Sequence, residues 1–181
     1  MAVRATRQGM ATLYIQRHGR AEAAHGKADR ERALTDVGRA EIEAAARAMA
    51  STGFRCDVIW SSPLVRAFQT AELMAQPLPG VAHEVVDELS PGGDLDALAR
   101  ALGRYSARSC VLVVGHMPDV AHATHQFLAD TRGAPTALET GSVVCVRFAG
   151  AIAPGHGSLE WLATVGELAR AGIPGGRGVR P

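Results

Sequence analysis

Short apolar runs alternate along this chain with longer segments in which apolar residues recur three and four positions apart. Runs of the first kind predict β-strands, and segments of the second kind predict amphipathic helices. The predicted strands are residues 13–16, 56–60, 83–89, 110–114, 142–148 and 159–165. The predicted helices are residues 36–50, 63–76, 95–102 and 118–128. This order of elements predicts an α/β fold, a three-layer α/β/α sandwich around a mostly parallel central sheet.

Local signals strengthen some of these predictions. The run 110–114 is apolar throughout, which is typical of a central strand buried on both faces. Thr35 and Asp94 each precede an apolar periodic segment and are predicted helix N-caps. Pro63 suits the first position of the second helix.

The length of 181 residues predicts one domain. We assign residues 1–10 to a loose N-terminal leader, within which Met10 is an alternative translation start. Residues 11–171 form the predicted domain. Residues 172–181 are rich in Gly, Pro and Arg and are expected to be a flexible tail.

Composition narrows the class of protein. Apolar residues make up 47% of the chain, and the formal net charge is +1. That balance gives no support to nucleic-acid or membrane-surface binding, and no apolar run approaches the roughly 20 residues that span a bilayer. We interpret Cys56, Cys110 and Cys145 as buried thiols in a reducing compartment, so we predict a cytoplasmic protein. Nothing in the sequence indicates an oligomeric state.

Basic side chains follow three of the predicted strands. Arg17 and His18 end the first strand, Arg66 comes just after the second, and His116 follows the strand 110–114. The carboxyl ends of parallel strands lie at one edge of a sheet, so these four residues are expected to converge there. Guanidinium groups match the oxygens of a phosphate, and the start of the helix near Pro63 adds to the same positive field.

The chemistry expected of such a site is phosphoryl transfer. Either imidazole could attack phosphorus in its neutral form, which nearby guanidinium charges favour by lowering the imidazole pKa. Attack would give a phosphohistidine that water then hydrolyses. The arginines and the second histidine would stabilise the charge on the equatorial oxygens, so no metal or other cofactor is expected.

Four motifs resemble those of the histidine phosphatase superfamily, which has the phosphoglycerate-mutase-like fold. They occur in the family order within residues 13–128: Arg17-His18-Gly19, Leu34-Thr35-Asp36-Val37-Gly38, Ser61-Ser62-Pro63-Leu64-Val65-Arg66-Ala67-Phe68-Gln69-Thr70 and Val114-Gly115-His116. The resemblance implies that His18 is the nucleophile. It also implies that Arg17, Arg66 and His116 bind the phosphate.

Within that superfamily the chain is most similar to SixA-like phosphohistidine phosphatases. The segment 88–94 resembles their acidic turn, and the resemblance implies that Glu88 donates the proton to the leaving group. Only 28 positions separate Glu88 from His116, enough for one helix but not for a lid subdomain. The expected partner is therefore a phosphohistidine on a protein, and a small phosphate ester is the alternative substrate of the same fold.

Several residues allow a second interpretation. Position 20 is Arg where the family usually has an acidic residue, and Arg20 could enlarge the basic rim or face solvent. Asp94 competes with Glu88 as the acid, although capping also explains it. Asp36 and Gly38 are interpreted as helix-start residues without a catalytic role.

Functions of other classes are also considered. His122 and His125 are three positions apart on a helix, a spacing that can bind metal and that suggests a metal-dependent hydrolase. No carboxylate-rich ligand set accompanies them. A non-catalytic phospho-binding module is disfavoured because all four site residues are present, and a mutase is disfavoured by the missing lid.

Overall fold

The computed structural model describes residues 9–26 and 28–175. Most of the predicted leader and the last six residues of the predicted tail lie outside the described residues. Within the described part, no helix is long and apolar enough to cross a bilayer.

A six-stranded mixed sheet forms the middle layer. Its strands are β1 (Ala11–Arg17), β2 (Val58–Ser61), β3 (Ala82–Val85), β4 (Cys110–Gly115), β5 (Val143–Phe148) and β6 (Gly157–Ala163). They lie in the order β3-β2-β4-β1-β5-β6. The first four are parallel to one another, whereas β5 and β6 run antiparallel to their neighbours. The predicted mostly parallel sheet is therefore confirmed.

Helices cover both faces of the sheet. They are α1 (Asp36–Ser51), α2 (Val65–Ala75), α3 (Leu95–Leu102), α4 (Asp119–Phe127) and α5 (Val165–Ala171). One apolar core joins the sheet to α3 and α4, and the second joins it to α1, α2 and α5. Strand β4 contributes to both cores because its successive side chains point to opposite faces. The predicted three-layer sandwich is confirmed.

The predicted caps are confirmed as well. The Thr35 hydroxyl accepts a hydrogen bond from the Gly38 amide at 3.0 Å, and an Asp94 carboxylate oxygen accepts one from the Ala97 amide at 2.9 Å. Each bond satisfies an amide that the first helical turn leaves without a partner.

The third predicted strand was too long. Strand β3 ends at Val85, which pairs with Ser61 at the end of β2, so no partner strand extends beyond that point. Residues Asp87–Leu89 instead form a turn of 3₁₀ helix. Glu88 therefore lies on a tight turn and not on a strand.

The start of α2 and the end of the chain also differ from prediction. Helix α2 begins at Val65, not Pro63, because Leu64 is extended and the Ser62 hydroxyl accepts the Leu64 amide at 3.2 Å. Strand β6 ends at Ala163, and α5 follows it. The signal for α5 was a capping box, in which Thr164 and Glu167 bond each other's backbone amides.

The cysteine prediction is partly corrected. All three thiols are free, but only Cys145 is buried, and Cys56 and Cys110 are half-buried. Both lie near the amino end of the parallel strands, away from the strand ends that carry His18 and His116.

No lid covers the predicted site from the segment between β3 and β4. Residues 86–109 are all described, and within them the helical elements are the turn Asp87–Leu89 and α3.

Candidate active site

The carboxyl ends of β1, β2 and β4 bring the predicted site residues together. Arg17 is the last residue of β1, and His18 continues the ladder by donating its amide to the Gly115 carbonyl at 3.0 Å. His116 follows β4, and its ring centroid lies 5.0 Å from that of His18. Arg66 enters the same space from the first turn of α2.

The imidazole of His18 is fixed by hydrogen bonds on both nitrogens. Its Nδ1 lies 2.7 Å from the Gly19 carbonyl oxygen, which can only accept a hydrogen bond, so Nδ1 carries the proton. Its Nε2 accepts a hydrogen bond from Arg66 Nε at 3.3 Å. The ring is therefore in the neutral tautomer with its Nε2 lone pair facing the guanidinium.

Burial is the largest cause of the shift that keeps His18 neutral. The residue is 8% exposed, and its pKa falls from 6.5 to about 4. Loss of solvation is the largest cause of this decrease, whereas the hydrogen bond to the Gly19 carbonyl raises the pKa. The positive charges of Arg66 and Arg17 lower it further. A neutral imidazole keeps the lone pair that a nucleophile needs, and in His18 that lone pair is held toward Arg66.

Arg66 is buried and uses both sides of its guanidinium group. Nε faces His18, whereas Nη1 and Nη2 donate to the backbone carbonyl and the carboxylate of Asp29 at 2.7 and 2.9 Å. Thr70, one helical turn later, donates its hydroxyl to the Arg66 carbonyl and accepts the Gly19 amide. The Thr70 side chain therefore ties α2 to the loop that follows His18.

His116 presents one ring nitrogen without a protein partner. Its Nε2 shares a hydrogen bond of 2.9 Å with the Ser62 hydroxyl, and its Nδ1 is buried and unpaired. Burial is the largest cause that lowers its pKa from 6.5 to about 3, and the proximity of His18 and then of Arg66 lowers the pKa further, because a second positive charge there is unfavourable. Nδ1 is therefore a buried ring nitrogen that the described protein atoms leave unpaired.

Arg17 lies beside these groups but is anchored elsewhere. Its Nη1 donates to the Leu138 carbonyl at 2.7 Å, and its Nε is buried without a partner. Burial lowers the pKa of Arg17, and its charge in turn lowers the pKa of both histidines. Arg17 Nε is therefore a buried donor without a protein partner.

Glu88 lies on the 3₁₀ turn that borders the site near His116. It is half-buried and lines a small cavity together with His116 and Asp119. An Asp119 carboxylate oxygen accepts the Gly92 amide at 3.0 Å, which pins the turn to α4. The rival acid Asp94 is engaged as the cap of α3.

Arg20 faces solvent, which resolves the choice left open by the sequence. Its side chain is 59% exposed and pairs with Glu41 at 3.4 Å. The Arg20 backbone packs closely against α1, and a Cβ at Gly38 would lie 2.2 Å from the Arg20 carbonyl oxygen. Gly38 is thus required for close packing of α1 against the loop after β1, a role that was not predicted.

His122 and His125 are not part of this cluster. His122 is exposed, and a His125 ring nitrogen bonds the Pro135 carbonyl. Across residues 9–26 and 28–175, no group of three or more His, Cys, Asp or Glu side chains is arranged to hold a metal ion.

Sequence reasoning missed three contributors to the site. Ser62 and Thr70 lie within the motif around Arg66, and the four-residue spacing of Arg66 and Thr70 on a helix could have indicated their contact. Asp29 gave no local signal, because it lies in a polar loop distant in sequence from Arg66.

Comparisons with known proteins agree with this geometry. The family model described as histidine phosphatase superfamily (branch 1) matches residues 13–99. An uncharacterised protein of Picosynechococcus sp. is 31% identical over 147 residues, which cover 80% of this chain and 89% of that protein.

A solved structure of the protein histidine phosphatase SixA, complexed with tungstate, superposes with a TM-score of 0.74 at 27% identity. The match covers 87% of this chain and 99% of that one. Human PGAM5, a mitochondrial serine/threonine-protein phosphatase, is 29% identical over 84 residues, which span 46% of this chain and 29% of PGAM5.

Proposed function

The chain belongs to the histidine phosphatase superfamily and is a phosphatase, and we propose that it removes the phosphoryl group from phosphohistidine on a protein through a covalent intermediate on His18. One observation carries the mechanism. His18 Nδ1 is fixed on the Gly19 carbonyl, and its Nε2 lone pair lies 3.3 Å from the Nε of the buried Arg66. A nucleophilic nitrogen and a phosphate-binding cation are thus oriented at each other before substrate arrives.

The proposed reaction has two displacements at phosphorus. In the first, His18 Nε2 forms a bond to phosphorus while the bond to the substrate imidazole breaks, and a proton from Glu88 neutralises the departing nitrogen. In the second, water gives its oxygen to phosphorus and a proton to Glu88, and the bond to His18 breaks to release inorganic phosphate. Both steps develop negative charge on the three equatorial phosphoryl oxygens.

Three side chains are proposed to stabilise that charge. Arg66 offers its Nε edge, Arg17 offers its unpaired Nε, and His116 offers its unpaired Nδ1. For His116 to donate from Nδ1, its Nε2 must accept the Ser62 hydroxyl proton, so Ser62 would select the tautomer. Groups fixed in place before the reaction stabilise a transition state at little cost of reorganisation.

The substrate class is inferred from the open surroundings of the site. A phosphatase that binds a small metabolite gains from a lid that encloses and desolvates it, whereas residues 86–109 supply no such element. A phosphorylated side chain that projects from a protein needs no enclosure. The similarity to the SixA structure supports the same class.

The test measures hydrolysis of two substrates with different leaving groups in the variant Glu88→Gln and in the control Asp94→Asn. Imidazole departs easily, so a phosphohistidyl protein depends less on an acid than an alkyl phosphomonoester does. We expect Glu88→Gln to slow hydrolysis of the alkyl ester by about 10²-fold or more and that of the phosphohistidyl protein much less. Both rates would be measured by phosphate release at several pH values.

Asp94→Asn is the matched control, because asparagine caps a helix as well as aspartate does. It should leave both rates near wild type. Equal losses in Glu88→Gln on both substrates would mean that protonation of the leaving group is not what separates the two substrates. A wild-type preference for a small phosphomonoester over phosphohistidyl protein would instead assign the protein to the broad-specificity phosphatases of the same fold.

A further inference from the structure

The loop between β1 and α1 places a carboxylate against the buried cation of the site. Asp29 Oδ2 accepts a hydrogen bond from Arg66 Nη2 at 2.9 Å, and the Asp29 backbone oxygen accepts one from Nη1 at 2.7 Å. The Arg66 side chain is 6% exposed, whereas that of Asp29 is 58% exposed. A buried guanidinium is thus held by a residue at the rim of the pocket.

The planarity of the guanidinium decides what this contact does. Nη1 and Nη2 form the end of the group, and Nε together with the other side of Nη2 forms its lateral edge. Asp29 takes the end, so the lateral edge is the one left facing His18 Nε2. A phosphoryl group carried by that nitrogen would therefore meet two N–H donors of Arg66.

A second arginine keeps Asp29 in place. Arg32 Nη1 donates to Asp29 Oδ1 at 2.8 Å, and Arg32 Nε donates to the Glu22 carbonyl at 2.6 Å. The bonds from Arg32 and Arg66 hold the pKa of Asp29 below its usual value, so the carboxylate is charged at neutral pH. The contact with Arg66 is consequently a charge-assisted pair of hydrogen bonds that fixes both distance and plane.

We propose that Asp29 is a positioning residue for phosphoryl transfer, which clamps the end of the Arg66 guanidinium so that its lateral edge faces the phosphorus bound at His18. The inference rests on the proposed role of His18 and Arg66. Asp29 itself touches neither the nucleophile nor the reacting atoms. Its effect on turnover passes through Arg66.

A double-mutant cycle tests that dependence. We expect Asp29→Ala to lower kcat for phosphate release by about 10- to 100-fold, because a catalytic group that is misplaced by about 1 Å loses about that much. In an Arg66→Ala background the same substitution should change kcat by less than about 2-fold, since the group on which Asp29 acts is gone. An equal loss in both backgrounds, or no loss in wild type, would overturn the proposal.

Two further variants separate positioning from folding. Asp130→Ala removes a similar Asp–Arg pair, in which Arg132 Nη2 lies 2.6 Å from Asp130 Oδ2 on the exposed surface, and it should leave kcat near wild type. Asp29→Asn keeps an oxygen that accepts from Nη2 but not the charge, so its kcat should lie between those of wild type and Asp29→Ala. If Asp29→Ala does not fold, as judged by its Tm, the cycle is measured with Asp29→Asn against the same criteria.

Orthovanadate binding distinguishes this proposal from the proposed function. Calorimetry of wild type, both single variants and the double variant should show the same non-additivity in Kd, because Arg66 contacts the oxyanion without turnover. If the two substitutions were non-additive in vanadate binding but wild type did not hydrolyse phosphohistidyl protein, the substrate assignment would be wrong and the role of Asp29 would stand. If the effects of Asp29→Ala and Arg66→Ala on vanadate binding were additive while wild type hydrolysed phosphohistidyl protein, the proposed role of Asp29 would be wrong and the substrate assignment would stand.

Discussion

The two edges of the parallel sheet are both rich in arginine, yet they are built differently. At the carboxyl edge, Arg17 and Arg66 lie beside His18 and His116. At the amino edge, a cavity of about 500 Å³ is lined in part by Arg55, Arg108 and Arg147. A count of positive charges alone would not tell these two regions apart.

The difference lies in whether a nucleophile is present and oriented. No histidine lines the amino-edge cavity, and its candidate nucleophile is the Cys110 thiol. That thiol donates a hydrogen bond to the Arg55 carbonyl at 2.7 Å. A hydrogen bond with the free thiol of Cys56, together with burial, raises the pKa of Cys110. A protonated thiol is a poor nucleophile, whereas His18 is neutral and its lone pair faces a cation. Orientation and protonation state, more than charge, distinguish the carboxyl edge.

The largest expected effect separates the two candidate nucleophiles, His18 and Cys110. His18→Ala should abolish phosphate release, a loss of roughly 10⁴-fold or more, because within residues 9–26 and 28–175 His18 is the histidine whose ring nitrogen is hydrogen-bonded to Arg66. Cys110→Ala should retain most of the wild-type rate. Steady-state phosphate release of the two variants gives the comparison.

The proposed phosphohistidine intermediate on His18 provides a second measurement. Label from a phosphorylated substrate, trapped by rapid denaturation, should be labile to acid and stable to alkali, as a phosphoramidate is. His18→Ala should trap none. Wild-type turnover by His18→Ala, or label that is stable to acid, would show that the nucleophile has been misassigned.

The next largest effect compares one arginine from each edge. Arg66→Ala should reduce kcat by about 10²–10³-fold, which is typical for loss of one oriented donor to a developing oxyanion. Arg147→Ala is the matched control, since Arg147 is also largely buried, with 18% of its side chain exposed, and its Nε lies 3.9 Å from a carboxylate oxygen of Glu160. Equal losses in the two variants would mean that general electrostatics, and not the bond to His18, explain the effect.

The sheet and the convergence of the four site residues could be predicted from the sequence because both follow from local patterns. The apolar run of β4 indicated a central strand, and Arg17-His18 and Gly115-His116 each come directly after a strand. Parallel strands then place these residues at one edge whatever the details of packing.

The remaining features depend on contacts between distant segments. Asp29 accepts a hydrogen bond from Arg66, which is 37 positions away in the sequence. The Gln69 side chain accepts one from the Leu34 amide, 35 positions away. The end of β3 is set by the length of its partner β2, which is why Glu88 was placed on a strand and lies on a 3₁₀ turn. Helix α5 was missed for a different reason, since its capping box at Thr164 was present in the sequence and was read as the end of a strand.

The smallest expected effect concerns pH. Burial lowers the pKa of His18 from 6.5, the usual value of an exposed histidine, to about 4, so its imidazole stays neutral well below the pH at which an exposed histidine is protonated. We expect kcat/KM to fall by no more than a few fold between pH 7 and pH 5 and to decline steeply only near pH 4. A decline centred near pH 6.5 would contradict the burial of His18.

The lowered pKa of His18 also predicts how the free energy of unfolding changes with pH. Between pH 6.5 and 4 the unfolded chain binds a proton at His18 that the folded protein does not, so the free energy of unfolding decreases as the pH falls through that window. The loss from His18 is on the order of 3 kcal/mol by pH 4, and His116, whose pKa falls to about 3, acts in the same direction. The double variant His18→Gln, His116→Gln should have a visibly flatter dependence of urea-derived stability on pH, whereas Arg147→Ala should keep the wild-type slope. If wild type and the double variant had parallel pH profiles, the histidines would titrate alike in both states, and the contrast between the two edges would then rest on hydrogen-bond geometry alone.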